Sequence, residues 1–137
     1  MEKEFIPYEQ ALALKELGFD KITFGVYYIS DDKHEVVVSN GPYNYGKNTG
    51  IYKKYNVLTP TFSQAFRWFR EKYNLIPDIQ YYGNWNFEIF RIGEFAEPMD
   101  DVNVNYKFKG GRYEESEFEC LKKLIEIVKS KKKKKNE

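Results

Sequence analysis

TFSQAFRWFREKYNLIPDIQYYGNWNFEIFRI, residues Thr61 to Ile92, changes its hydrophobic period once, and that change decides the fold class. At 100° per residue, Phe62, Ala65, Phe66, Phe69 and Tyr73 fall within about 100° of one another, the stripe of an amphipathic helix. Thr61 with Gln64 three residues on makes a capping box, and Pro60 sits just before it. A helix is therefore expected from about 61 to about 73, ending before Pro77. The β-rich runs IQYY and NFEIFRI then flank Gly83-Asn84, a hairpin with a primed-turn dipeptide. One helix and one hairpin in immediate succession point to an α+β chain.

The flanking segments extend that pattern. Pro7 suits the first turn of a helix over about 7–17, with Ala11, Leu14 and Leu17 at three-residue spacing and Gly18 as its stop. KITFGVYYIS and HEVVVSN are β-rich runs separated by Asp31, Asp32 and Lys33, a first hairpin. NGPYNYGKNTGIYKKYN reads as a long loop rich in Gly, Asn and Tyr. VNVNYKFK alternates Val102, Val104, Tyr106 and Phe108 with Asn103, Asn105, Lys107 and Lys109, a half-buried strand with one wet face. After Gly110-Gly111, a last helix is expected over about 113–130. Glu114, Glu115 and Glu117 stand at its start and lysines at its end, as the helix dipole favours. Its apolar stripe is Phe118, Leu121, Leu124, Ile125 and Val128.

The order α-β-β-α-β-β-β-α predicts an α+β two-layer domain, three helices on an antiparallel sheet of about four to five strands. A single domain is expected over 1–130, with a disordered lysine-rich tail over 131–137.

The chain has 137 residues, 18% of them aromatic, with 12 Tyr and 11 Phe, so an aromatic core is expected. Twelve tyrosines cannot all lie deep, because each hydroxyl needs a partner, and some should line a groove or an interface. Cys120 is the sole cysteine, which excludes an internal disulfide and fits a reducing compartment. No apolar run approaches the ~18 residues of a membrane span. The acidic start MEKEFIPYEQ is unlike a signal peptide. A soluble cytoplasmic protein with no membrane partner is expected. Six Lys and one Glu lie in 129–137; removing them from 22 basic and 21 acidic residues leaves 16 basic and 20 acidic, a body near −4. The net charge of +1 thus hides an acidic domain with a lysine-rich end.

Catalytic sets are sparse. His34, the single histidine, sits at the first hairpin turn beside Asp31 and Asp32 and reads as solvated. Cys120 falls off the apolar stripe and reads as a partly buried structural thiol. One His and one Cys do not make a zinc site, and Asp100-Asp101 lacks the spacing of a calcium loop. Gly41 to Asn48 mimics a phosphate loop, but Asn48 replaces the metal-binding hydroxyl and no helix follows. Phe24-Gly25-Val26-Tyr27-Tyr28 is faintly like the aromatic strand of an RNA-recognition motif, in the wrong strand of an acidic body. Neither an enzyme, a metal or cofactor, nor sequence-specific nucleic-acid binding is expected.

Two clusters attract attention as ligand or partner sites. On the 61–73 helix, Arg67 and Arg70 lie on one flank of the stripe and Trp68 on the other, beside Gln64 and Lys72. Arg67 can pair with Glu71 one turn on, whereas Arg70 has no such partner. Such an arginine can clamp an anion, and Trp, Tyr and Arg are enriched in interface hot spots. On the second hairpin, Tyr81, Tyr82, Trp85 and Arg91 form the other cluster. Trp85 at a turn is costly to leave open to water unless something covers it.

Three stretches, FIPYEQALALKELGFD (5–20), QAFRWFREKYNL (64–75) and SEFECLKKLIEIVK (116–129), together resemble a family of small uncharacterised proteins encoded by phages and prophages of Bacteroidota-type hosts. The resemblance covers both ends and the middle helix. It departs at Gly111-Arg112, where the family favours a Ser-type cap, and in a longer lysine end. No catalytic residues carry over. What the resemblance implies is a phage accessory protein in the cytoplasm of its bacterial host.

The resulting expectation is a non-catalytic protein that binds a small anionic ligand such as a nucleotide signal, as a means of countering host defence. The alternative is an inhibitor or adaptor of a host protein, its acidic body steered to a basic partner. A hydrolase or nuclease is the disfavoured third. A homo-oligomer is expected, because exposed aromatic hairpins usually need covering.

Overall fold

The computed structural model describes residues 4–28, 36–45, 56–91, 97–98, 106–107 and 111–135. In chain order these form α1 (Tyr8–Glu16), β1 (Thr23–Tyr28), β2 (Val36–Tyr43), β3 (Asn56–Thr59), α2 (Phe62–Tyr73), β4 (Leu75–Tyr81), β5 (Trp85–Arg91), β6 (Glu97–Pro98), β7 (Tyr106–Lys107) and α3 (Tyr113–Lys135). The fold is α+β, with three helices among the described residues and antiparallel strands throughout. The strands form two sheets rather than one: β2-β1-β3, and a second in which β5 lies between β4 on one side and β6 and β7 on the other. The physical cause is β3. It takes the free edge of β1, from Gly25 opposite Thr59 to Tyr28 opposite Asn56, so the first hairpin finds its third strand before the chain reaches α2. The chain divides into two compact units, Met1–Ala65 and Phe66–Glu137, each containing one sheet.

In the first unit, α1 packs on β3. Its end is fixed by glycine: Gly18 has φ 93, its N–H reaches the Lys15 carbonyl at 3.1 Å, and the Phe19 N–H reaches Leu14 at 2.9 Å. These two bonds are a Schellman cap, and Leu14 and Phe19, the pair that such a cap brings together, are both buried. The segment before α1 is stitched down as well. The Ile6 N–H donates to Pro60 at 3.0 Å, and the Ile6 carbonyl accepts the hydroxyls of Tyr27 (2.9 Å) and Thr59 (2.8 Å). Phe5, in an isolated bridge with Thr61, lies over Gly25. Gly25 and Tyr27 thus serve internal packing and not an exposed aromatic platform of the RNA-binding kind.

β2 continues through Gly41-Pro42-Tyr43, with a register shift between the Thr23–Tyr43 and Gly25–Val38 pairs. The first glycine of the phosphate-loop look-alike therefore stands in an edge strand, where Pro42 is tolerated because an edge need not donate every N–H. Pro42 to Tyr45 are described with it, whereas Gly46, Lys47 and Asn48 lie outside the described residues, as do His34, the first hairpin turn and Asp100-Asp101. Tyr45, half-buried, receives the Leu58 N–H at 2.6 Å.

The expected capping box opens α2. The Gln64 N–H donates to the Thr61 hydroxyl at 3.2 Å, and the Thr61 N–H donates to the Gln64 side chain at 3.0 Å. Asn74, with φ 57, turns the chain directly from α2 into β4. In the second unit, Leu75 to Tyr81 pair without interruption with Arg91 to Trp85. The connection is three residues, Tyr82-Gly83-Asn84, with Gly83 at φ 77, instead of a two-residue primed turn. Pro77 is accommodated because β4 is an edge. Of the alternating segment 102–109, β7 is the described part, pairing with Asn86 and Phe87. α3 packs on β4 and β5 and buries Ser116, Cys120, Leu121, Leu124, Ile125, Ile127 and Val128. Phe118, expected in that stripe, is half-buried. The helix runs on to Lys135, so residues 131–135 are helical instead of the start of an unstructured tail. Lysine is a good helix former, and cations suit a helix C-terminus. Among the described residues the buried core combines aliphatic side chains with eight aromatic rings, and Trp68 and Phe69 are the largest of the fully buried side chains. No helix among the described residues is long and apolar enough to cross a membrane.

Candidate functional site

The two sequence clusters fare differently. On α2, Phe62, Ala65, Phe66 and Phe69 are buried as their spacing requires. Trp68 is buried too, at 1% exposure, set edge-on against Phe69 and Tyr73 and capped by the Lys72 ammonium 5.2 Å from its ring centre. It is a core residue and offers no face to a ligand. The buried arc of α2 runs from Trp68 to Phe66, about 160° at 100° per residue, wider than the stripe read from the sequence. Arg67 is exposed, and its Nε donates to Glu71 at 2.8 Å. Arg70 is exposed as well. Among the described residues, no hydrogen bond or ring contact joins either arginine to the aromatic rings of the hairpin.

The hairpin cluster holds together at one end only. Tyr81 and Trp85 are register partners that close β4–β5, and their ring centres are 5.1 Å apart. Arg91 lies six residues from Trp85, about 20 Å along the strand, so it does not share the site. A ring that sequence reasoning passed over completes the cluster: Tyr113, the first residue of α3, meets Trp85 edge-on at 5.1 Å. Tyr113 and Tyr81 are the cover that Trp85 needs, and with them it is half-buried. The outer rings remain open, Tyr82 at 75% exposure, Tyr81 at 62% and Tyr113 at 41%. Nothing local in the sequence links Tyr113 to Trp85; only the packing of α3 on the hairpin does.

The surroundings of these rings are acidic. From Tyr113 to Cys120, α3 carries Glu114, Glu115, Glu117 and Glu119 and no cation, with Arg112 just before it. The Tyr113 phenol and the Glu117 carboxylate stand one turn apart on α3, near enough to affect each other's proton affinity. Burial, then the Glu117 carboxylate, pushes the Tyr113 phenol up. Burial, then Glu114, raises Glu117 above the usual carboxylate range. One turn further in, the Cys120 thiol is completely buried, and burial with the nearby Glu117 and Asp78 carboxylates holds it protonated. Thiolate chemistry therefore has no footing there. Among the described residues, no group of three or more His, Cys, Asp or Glu is arranged to hold a metal ion.

The fold and the site together define an α+β protein with an acidic, aromatic end on its second sheet. No family model, curated protein or solved structure matches the chain.

Proposed function

We propose that this protein is a binding protein, an adaptor or inhibitor that engages a basic segment of a partner protein through the aromatic end of β4–β5. The observation that carries this reading is the set of outward rings, Tyr81, Tyr82 and Tyr113 around the half-buried Trp85, bordered by the glutamates of the first turns of α3. Tyrosine and tryptophan supply large contact area with few torsions to freeze, which is why they recur as interface anchors. A lysine or arginine side chain gains twice at such a place, from the ring faces and from the carboxylates, about 0.5–1 kcal/mol for each exposed ring contact. Small anions are a poorer fit. Trp68 is buried, Arg67 is paired, and Arg91 stands at the far end of its strand, so stacking and phosphate clamping do not converge. The resemblance to phage-encoded proteins supports a host protein as the partner.

Tryptophan emission tests this. Trp85 should shift on titration with a lysine- or arginine-rich peptide, and much less with an acidic peptide of equal length. Tyr82→Ala should weaken the response at least threefold without lowering the melting temperature. Arg67→Ala and Arg70→Ala should leave it unchanged. Saturable binding of nucleotides with a raised melting temperature, and no response to cationic peptides, would instead restore the anion-binding reading.

A further inference from the structure

α3 carries both halves of a complementary pair. Its first turns present Tyr113 with Glu114, Glu115 and Glu117; its end presents Lys129 and the run Lys131–Lys135, helical throughout. Twenty-two residues separate Tyr113 from Lys135, about 33 Å at a rise of ~1.5 Å per residue. A rigid helix of that length cannot bring its own lysines back to its own first turn. Lysine over an aromatic ring is also a contact this chain makes repeatedly: Lys15 over Tyr45 at 5.4 Å, Lys72 over Trp68 at 5.2 Å and Lys122 over Phe118 at 4.8 Å.

We propose that the aromatic end binds the lysine-rich helix end of a second copy of this chain, giving head-to-tail self-association. The inference rests on the basic-partner reading above and names one partner for the same site. The charges match: a body near −4 carries a terminal segment with six Lys against one Glu. Each contact joins two different surfaces, so a pair held by one contact keeps one free site and one free lysine end; these close on each other in a dimer or add further copies in a chain. In any such chain all but one of the aromatic ends are covered, so another basic partner must compete with the protein's own lysines.

Sedimentation velocity on the full chain tests this. Between about 10 mM and about 1 M salt the Debye length falls from roughly 30 Å to roughly 3 Å. The mean mass should at least double with rising concentration at the lower salt and return to that of the monomer at the higher. Tyr81→Ala with Tyr82→Ala removes the site; Lys131→Glu, Lys132→Glu and Lys133→Glu remove the lysine end. Each variant alone should stay monomeric and folded by circular dichroism. Mixed in equal amounts, they should form a dimer that grows no further, since one copy supplies the intact site and the other the intact end. Parent self-association that ignores salt, or mixed variants that stay monomeric while the parent associates, would overturn the head-to-tail contact. A parent that stays monomeric while Trp85 still responds to an oligolysine peptide would defeat self-association alone. No response to the peptide either would defeat the basic-partner reading with it.

Discussion

Replacing Gly25 with alanine sets two expectations of opposite sign against each other. Glycine inside a strand costs roughly 0.5–1 kcal/mol of chain entropy, so propensity alone predicts that Gly25→Ala stabilises. The structure predicts the reverse. An alanine Cβ would stand 2.7 and 2.8 Å from Cδ1 and Cε1 of Phe5, and 2.8 Å from Cγ2 of Thr59, where carbon atoms normally rest about 3.5–4.0 Å apart. The Phe5 ring must retreat by most of an ångström, and it has little room. It is buried, it belongs to the Phe5–Thr61 bridge, and the next residue is held by the Tyr27 and Thr59 hydroxyls and by Pro60. Overpacking of this kind costs about 1–3 kcal/mol. Set against the propensity gain, the net is a loss of about 1–2 kcal/mol, or a melting temperature lower by roughly 4–8 °C. Both tryptophans lie in the other unit, so circular dichroism, not tryptophan emission, should follow the melt. Phe5→Ala supplies the control: with the ring gone, Gly25→Ala should cost at least 1 kcal/mol less than it does in the parent, a coupling that a double-mutant cycle reads directly. A Gly25→Ala protein as stable as the parent, or costs that simply add, would refute the packing account.

Three further outcomes follow from local geometry. Thr61→Ala removes the hydroxyl that caps the Gln64 N–H and should cost about 1 kcal/mol in urea unfolding, while Thr61→Ser should retain most of it. Asn74 at φ 57 should accept glycine with little change or a slight gain, whereas Asn74→Val should lose about 1–2 kcal/mol, measured the same way. Burial pushes the Tyr45 phenol up to about 12 from 10.0. Since the folded value lies above the unfolded one, its contribution is complete below pH 10 and is lost as pH rises from 10 to about 12. The loss is of the order of 2–3 kcal/mol at the top of that window. Stability followed against pH should fall more steeply there in the parent than in Tyr45→Phe.

What could be read from sequence was local. The Thr61–Gln64 box and the Gly18 stop depend on partners within about five residues, so composition and spacing expose them. The β4–β5 pairing is nearly as local, although the extra turn residue and the early start at Leu75 were hidden by Pro77, which an edge strand admits. β3 was missed because Asn56–Thr59 is short, shows no alternation, and pairs with a strand about thirty residues away. Trp68 was misplaced for a related reason. A helical wheel gives angles but not how many sides are covered, and α2 buries a wider arc than one stripe. At the candidate site, Tyr81 and Trp85 were visible as neighbours across a turn, but Tyr113 joins them only through the packing of α3, and Arg91 leaves them because a strand is straight.

The charge separation along α3 would exist for stability alone, since glutamate at a helix start and lysine at its end each gain from the dipole. Charge is therefore not the decisive feature of this end of the molecule. The rings are. Trp85 is already covered from within by Tyr81 and Tyr113, so folding does not call for the outward face of Tyr81, and still less for Tyr82 at the tip of the turn. A three-residue turn with glycine at its centre could carry a serine or lysine in place of Tyr82 with no loss of packing. If those two rings serve a partner, Tyr82→Ser should leave the melting temperature within about 1 °C of the parent and weaken cationic-peptide binding severalfold. If they serve the fold, the same change should lower stability and spare binding. Measuring both quantities on one variant separates the two, and a loss of stability without a loss of binding would remove the tip of the hairpin from the site.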